Sequence, residues 1–126
     1  MIQIDAFGYF DSRSQRPFEQ FTPEYVTGIA AARRWISRQT FVRTPYCRRS
    51  ANSYKLKHVM ERDCGVYVPN GVFILAMVEE GFRAKRLPDS KNAAFNIEIT
   101  WEYYRASHLS RAPQISSLTY LKGELH

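Results

Sequence analysis

The sequence predicts a single α+β domain in which about three helices pack on a small antiparallel sheet. Two observations predict the helices: apolar residues recur at helical spacing, and cap or stop residues stand at the ends of these periodic segments. A third observation predicts the sheet, because residues 94–103 alternate strictly between apolar and polar side chains. The chain is 44% hydrophobic and 24% charged, a composition typical of one compact core and not of a disordered chain.

The first helix is predicted over residues 23–39. Thr22 is a suitable cap, and Pro23 fits the first helical position because its missing N–H costs nothing there. Val26 belongs to the predicted apolar face, and Gly28 leaves room for the close approach of a neighbouring element. Packing is therefore the expected role of this helix.

The next two helices are predicted as a pair, over residues 52–63 and 71–80. Asn52, or the serine after it, can cap the first helix, and Gly65 can take the left-handed conformation that ends it. Asn70 is the expected cap of the second helix. This helix is apolar on nearly every side, which predicts deep burial.

Residues 94–103 form the clearest predicted strand, with one buried face and one wet face that is polar and acidic. Such a strand needs partners, because a lone strand is not stable. The candidate partners are residues 1–6, 41–46 and 66–68.

The remaining segments have weaker patterns. Residues 41–51 contain Pro45 and are predicted as a loop or a short strand, and residues 82–92 as a basic, turn-rich segment. Residues 106–126 are predicted either as a final turn or strand or as a mobile tail. No repeat or linker divides the chain, so residues 1–126 are predicted as one domain.

Cysteine use and hydropathy exclude several classes of protein. Cys47 and Cys64 have no CxxC spacing, so no cysteine-based zinc site is predicted, and a disulfide between them has no support. Cys64 is expected to be a buried structural thiol. The N-terminus lacks the pattern of a signal peptide, and no apolar run is long enough to span a membrane. We therefore expect a cytoplasmic protein with no cofactor, no metal and no membrane partner.

Positive charge is concentrated in one interval of the chain, which has a net charge of +6 as a whole. No acidic residue stands between Glu24 and Glu61, and the eight basic residues there give a local charge of +8. Arginine binds phosphate or carboxylate through two points, and interspersed tyrosines can stack on bases. The eight are Arg33, Arg34, Arg38, Arg43, Arg48, Arg49, Lys55 and Lys57.

The predicted site for nucleic acid or a partner consists of these eight residues together with Tyr46, Tyr54, His58 and Arg62. The alternative is a solvated face whose arginines also form internal ion pairs. The acidic residues available for such pairs are Glu79, Glu80, Glu98 and Glu102.

The helix pair departs in two ways from a helix-turn-helix motif. Its connection is longer than the usual three or four residues, and the second helix has no basic or amide side chain to read base edges. Direct readout by that helix is therefore not expected.

These patterns predict a non-enzymatic binding protein whose Arg-rich surface docks nucleic acid or a nucleic-acid-handling complex. Two alternatives stay open. One is a small inhibitor or accessory protein of a mobile element, of the anti-defence type, that binds a host protein complex through Arg and Tyr. The other is a small enzyme that uses His58 and Glu61, which share a helical face with Tyr54.

Overall fold

The computed structural model describes residues 4–5, 7–9, 23–100 and 102–105. Over this part of the chain, three substantial helices pack with two small antiparallel sheets, which confirms the predicted α+β class. The elements are β1 (Ile4–Asp5), β2 (Gly8–Tyr9), α1 (Pro23–Arg38), β3 (Val42–Asn52), α2 (Ser53–Cys64), α3 (Asn70–Glu79), β4 (Ala84–Arg86) and β5 (Ala93–Glu98). Within these described ranges, no helix has the length and hydropathy needed to cross a membrane.

Some predictions fall on other residues. The cap at Thr22, the segment 106–126 and most of the predicted strand over residues 1–6 lie outside the described residues. The extent of the domain, 1–126, stays a prediction.

The larger sheet has the order β3-β5-β4, so β5 is its central strand and both pairings are antiparallel. The predicted partner at residues 41–46 is therefore correct as part of β3. The candidate at residues 66–68 is wrong, because these residues form no strand. The described part of the candidate at residues 1–6, Ile4–Asp5, pairs with Gly8–Tyr9 instead. β4 lies in the segment predicted as turn-rich, and a turn that contains Asp89 (φ 52°) connects it to β5.

β5 differs from its predicted form in length and burial. It ends at Glu98, and a helical turn follows at residues 102–105. The predicted wet face is wrong at Asn96, which is only 6% exposed, whereas Glu98 is exposed as predicted. Phe95 packs against Phe73 of α3, while the Asn96 carboxamide oxygen accepts a hydrogen bond of 2.7 Å from the Arg83 N–H. Both faces of the central strand are therefore covered.

β3 is a strand of 11 residues, longer than the predicted loop or short strand. Its register against β5 shifts twice, between Arg43 and Arg48 and again between Arg48 and Asn52. Pro45 stands in the first irregular stretch, on an edge strand, where a missing N–H removes no bond from the ladder interior. The alternation expected of a strand is lost at such bulges, which explains why the sequence pattern did not show it.

The core centres on α3, whose Phe73, Ile74 and Met77 are fully buried as predicted. α1 packs against it at Gly28, where an added Cβ would lie 3.4 Å from Val72 Cγ1. The buried stripe of α1 consists of Gly28, Ala32, Trp35 and Ile36, at helical spacing. Val26 lies off this stripe and is 53% exposed, so its assignment to the buried face was wrong.

The helix ends follow the sequence signals with one exception. The Asn52 side chain accepts a hydrogen bond from Lys55 N, and Gly65 ends α2 with φ 72°, both as predicted. The cap of α3 is Pro69, not Asn70. The Asn70 amide group instead donates to Phe7 O, Lys91 O and Asn92 Oδ1. These bonds connect the start of α3 to the β1–β2 hairpin and to the β4–β5 turn.

Candidate binding surface

The structure divides the twelve predicted site residues by burial. Lys57 and Arg62 are buried, and His58 is partly buried. The other nine are exposed. The basic interval of the sequence is therefore not one continuous solvated surface.

Glu61 is the centre of a hydrogen-bonded cluster on α2. Lys57 Nζ lies 2.8 Å from Glu61 Oε2, which also accepts a bond of 2.9 Å from the Val68 N–H. His58 Nδ1 lies 3.1 Å from Glu61 Oε1. Burial by itself raises the pKa of Glu61, but the bonds from His58, Lys57 and Val68 outweigh burial and lower the pKa below its usual value. This cluster fixes α2 to the connection that leads into α3.

The same cluster contains His58 and Glu61, the two residues that the enzyme alternative would use. Tyr54, His58 and Glu61 do come together, with the rings of Tyr54 and His58 4.5 Å apart. Glu61, however, is already bonded to Lys57 and Val68. Among the described residues, no group of three or more His, Cys, Asp or Glu side chains is placed to hold a metal ion.

Arg33 forms internal ion pairs. Its Nε lies 2.8 Å from Glu80 Oε2, and its Nη1 lies 3.4 Å from Glu79 Oε1. At this residue the structure matches the alternative in which an arginine of the basic interval pairs within the protein. The charge of Arg33 is partly neutralised before any partner binds.

Arg43 is held against the connection that follows α3. Its Nη1 donates a hydrogen bond of 2.8 Å to Gly81 O, and the guanidinium lies 4.0 Å from the centroid of the Phe82 ring. A guanidinium stacked on an aromatic face keeps its charge and its remaining donors. Arg43 is thus positioned but still exposed.

The other arginines of the interval are exposed and lie on α1 and β3. No ion pair between described residues involves them. They are Arg34, Arg38, Arg48 and Arg49.

An open groove of about 550 Å³ lies where the first bulge of β3 faces the segment after α3. Residues 45–47 and 82–85 line it, together with Val78. None of these lining residues is acidic, and Arg83 and Lys85 are both basic and exposed. Tyr46 is 76% exposed on the β3 side. We refer to this site as the β3 groove.

Hydrogen bonds join the two sides of the β3 groove. Arg83 Nη2 donates to Pro45 O at 2.5 Å, and the Cys47 thiol donates to Arg83 O at 3.7 Å. Burial raises the pKa of the Cys47 thiol against the opposing effect of Arg83 and Lys85. The thiol is therefore protonated at neutral pH and is not an activated nucleophile.

Both described cysteines are free, so no disulfide joins them. Cys64 is exposed at the last position of α2, and the prediction that it is buried was wrong. Leu56 and Met60 on the same helix face the core, whereas Asp63 and Cys64 at the end of α2 are exposed.

Sequence reasoning missed two basic residues of the groove, Arg83 and Lys85. The sequence does contain a signal for them, because both residues belong to the predicted basic segment 82–92. Their place in the groove depends on the tertiary structure, in which β3 and β4 both pair with β5 and the Arg83 guanidinium bonds to Pro45 O. No local pattern reveals that arrangement.

Comparison of the chain with models of known protein families, with curated proteins and with solved structures found no match. The chemical character of the exposed surface is therefore the basis for assigning a function.

Proposed function

We propose that this protein is a non-enzymatic binding protein that docks nucleic acid through the β3 groove and the exposed arginines beside it. The observation that supports the proposal is a groove with basic and aromatic walls and no acidic lining residue. Exposed Arg48 and Arg49 extend the positive charge along the same strand. Clustered cations of this kind attract a phosphate backbone.

The proposed interface is narrower than the basic interval of the sequence. Lys57 is excluded because it is buried and paired with Glu61, and Arg33 because it is paired with Glu79 and Glu80. Arg62 is excluded because it is buried. The proposed contacts are Arg43, Tyr46, Arg48, Arg49, Arg83 and Lys85.

A second explanation for the β3 arginines is that they prevent association of β3 with other chains. Charged residues, proline and bulges on an edge strand discourage pairing with other chains, and β3 has all three. That role explains the charges on β3. It does not explain an exposed tyrosine between them, because an exposed aromatic ring works against solubility.

The proposal is tested by fluorescence anisotropy with labelled DNA and RNA at two salt concentrations. If about four phosphates are contacted, affinity should fall roughly 50- to 150-fold between about 50 and about 200 mM salt, because bound counterions are released on binding. Replacing Arg48 and Arg49 with glutamate should weaken binding and reduce the salt dependence. Replacing Arg34 and Arg38 with glutamate is the matched control, since these two arginines are also exposed but lie on α1.

Absence of binding at low salt would contradict the proposal. That result would favour the alternative of a protein partner, for which the exposed Tyr54 and Tyr67 are the observation in support.

A further inference from the structure

Tyr46 lies in the first irregular stretch of β3, where hydrogen bonds hold the chain on both sides of it. The Thr44 hydroxyl donates to Tyr46 O at 2.6 Å, and Pro45 O accepts from the Arg83 guanidinium. The Cys47 thiol donates to Arg83 O. The residues flanking Tyr46 are therefore fixed while the Tyr46 ring is exposed to solvent, so the backbone that carries the ring requires little ordering when a ligand binds.

The opposite wall of the β3 groove supplies positive charge. Lys85 is exposed, and no hydrogen bond or ion pair between described residues engages its ammonium group. Lys85 pairs in register with Ala94 of β5, which fixes its position on the sheet. Arg83 lies two residues before Lys85. Arg43 donates a hydrogen bond to Gly81 O, two residues before Arg83. A flexible cation that pairs with none of the described residues is well suited to contact a phosphate.

The size of the groove limits what can enter. Its volume of about 550 Å³ is in the range of small-ligand sites, about 300–1,000 Å³, which suits one or two nucleotides. In a duplex the bases are stacked on each other and cannot present a free face to a tyrosine. In a single strand they can, and base–aromatic stacking is the usual basis of such binding.

From these observations we infer that the β3 groove takes single-stranded nucleic acid, with a base stacked on Tyr46 and the adjoining phosphates contacted by Lys85 and Arg83. The inference rests on the proposed function and specifies its ligand. DNA and RNA share the chemistry that this site would recognise, namely an unpaired base next to a phosphodiester.

The test compares a labelled single-stranded oligonucleotide with a duplex of the same length, each as DNA and as RNA, at low salt. The unsubstituted protein should bind the single strand more tightly than the duplex. Tyr46→Ala should weaken single-strand binding roughly 5- to 150-fold, the loss expected for one stacked base, and should leave duplex binding nearly unchanged. Tyr46→Phe retains the aromatic ring and should bind like the unsubstituted protein.

Tyr67→Ala is the matched control, because Tyr67 is 70% exposed but does not line the groove. It should bind the single strand normally. Circular dichroism of each variant checks that the fold is intact, which is expected because Tyr46 is a surface residue.

The outcomes separate this inference from the proposed function. Equal binding of single strand and duplex would overturn the inference, and so would an unchanged single-strand affinity of Tyr46→Ala. In either case, binding that weakens on charge reversal of Arg48 and Arg49 would still support the proposed function. No binding of any nucleic acid at low salt would overturn both. The DNA and RNA arms show which of the two is preferred.

Discussion

At the scale of single residues, Glu61 determines how much of the positive charge of α2 is available to a partner. It engages Lys57 and His58 with its two oxygens and also accepts a bond from the Val68 N–H. A sequence pattern shows only that residues 57, 58 and 61 can share a helix surface. It does not show that the Glu61 carboxylate is largely buried and bonds to both Lys57 and His58. The sequence alone therefore predicts Lys57 as part of the binding surface.

Replacement of Glu61 should produce a pH-dependent loss of stability. The pKa of Glu61 is below its usual value in the folded protein. Its contribution to the free energy of unfolding is therefore fully present above the ordinary glutamate pKa of about 4.3 and is lost as the pH falls through the lower folded-state pKa. Glu61→Gln should be less stable than the unsubstituted protein by about 2 kcal/mol at neutral pH, and this difference should shrink in acid.

Urea unfolding at neutral and acidic pH measures this difference. Glu98→Gln is the control, because Glu98 is exposed at the end of β5, and it should change stability little at either pH. A deficit of Glu61→Gln that stays constant into strong acid would show that the carboxylate charge is not the source of the stabilisation.

At the scale of elements, the helices were predictable and the long strand was not. Asn52 and Gly65 act on backbone groups within a few residues of themselves, so the sequence near α2 contains the information needed to place its ends. β3 contains Pro45 and three arginines, and its strand conformation depends on pairing with β5. Tertiary pairing of this kind overrides local propensity.

The α1–α3 contact gives a prediction at this scale. Gly28 faces Val72 at the distance where a Cβ would just make contact. A larger side chain should therefore push the helices apart, and Gly28→Leu should lower the free energy of unfolding by about 1–3 kcal/mol. Ala30→Leu, an exposed position on the same helix, should have little effect.

Thermal unfolding compares the two variants. Combining Gly28→Leu with Val72→Ala should recover part of the lost stability, because it restores space at the contact. If the two leucine variants behave alike, the close approach at Gly28 is not what determines the packing of α1.

At the scale of the whole molecule, the β1–β2 hairpin docks on the rest of the protein through hydrogen bonds to its backbone and through the buried Tyr9 side chain. The Tyr9 N–H donates to Lys91 O at 3.0 Å. Gly8 has φ 120°, and an added Cβ would lie only 2.1 Å from the same Lys91 oxygen. A side chain at this position is therefore incompatible with the docked hairpin.

Gly8→Ala should release the hairpin while the helical core stays folded. Hydrogen exchange followed by NMR should show loss of protection at the Tyr9 amide and retained protection at Met77 within α3. Gly65→Ala is the control: it is also at positive φ, but no atom lies near its Cβ position. It should destabilise α2 without exposing Tyr9, and a Gly8→Ala protein with normal Tyr9 protection would contradict the docking geometry.

The fold class and three helices followed from the sequence because their signals are periodic or local. The β3 groove did not follow, since Pro45 and Arg83 are far apart in the chain and are joined by a hydrogen bond that only the tertiary structure creates. Ion pairing was only partly foreseeable: Glu79 and Glu80 were among the acids considered for internal pairs, but nothing in the pattern selected Arg33 as their partner.

The central position of β5 also has a consequence during synthesis. On the ribosome, β3 emerges well before β5, because α2, α3 and β4 come between them in the chain. Until β5 is made, the segment Val42–Asn52 therefore has no partner strand, and unpaired segments of this kind associate with other chains. Pro45 and the arginines of β3 oppose such association, so the residues that shape the groove in the folded protein would also protect the unfinished chain.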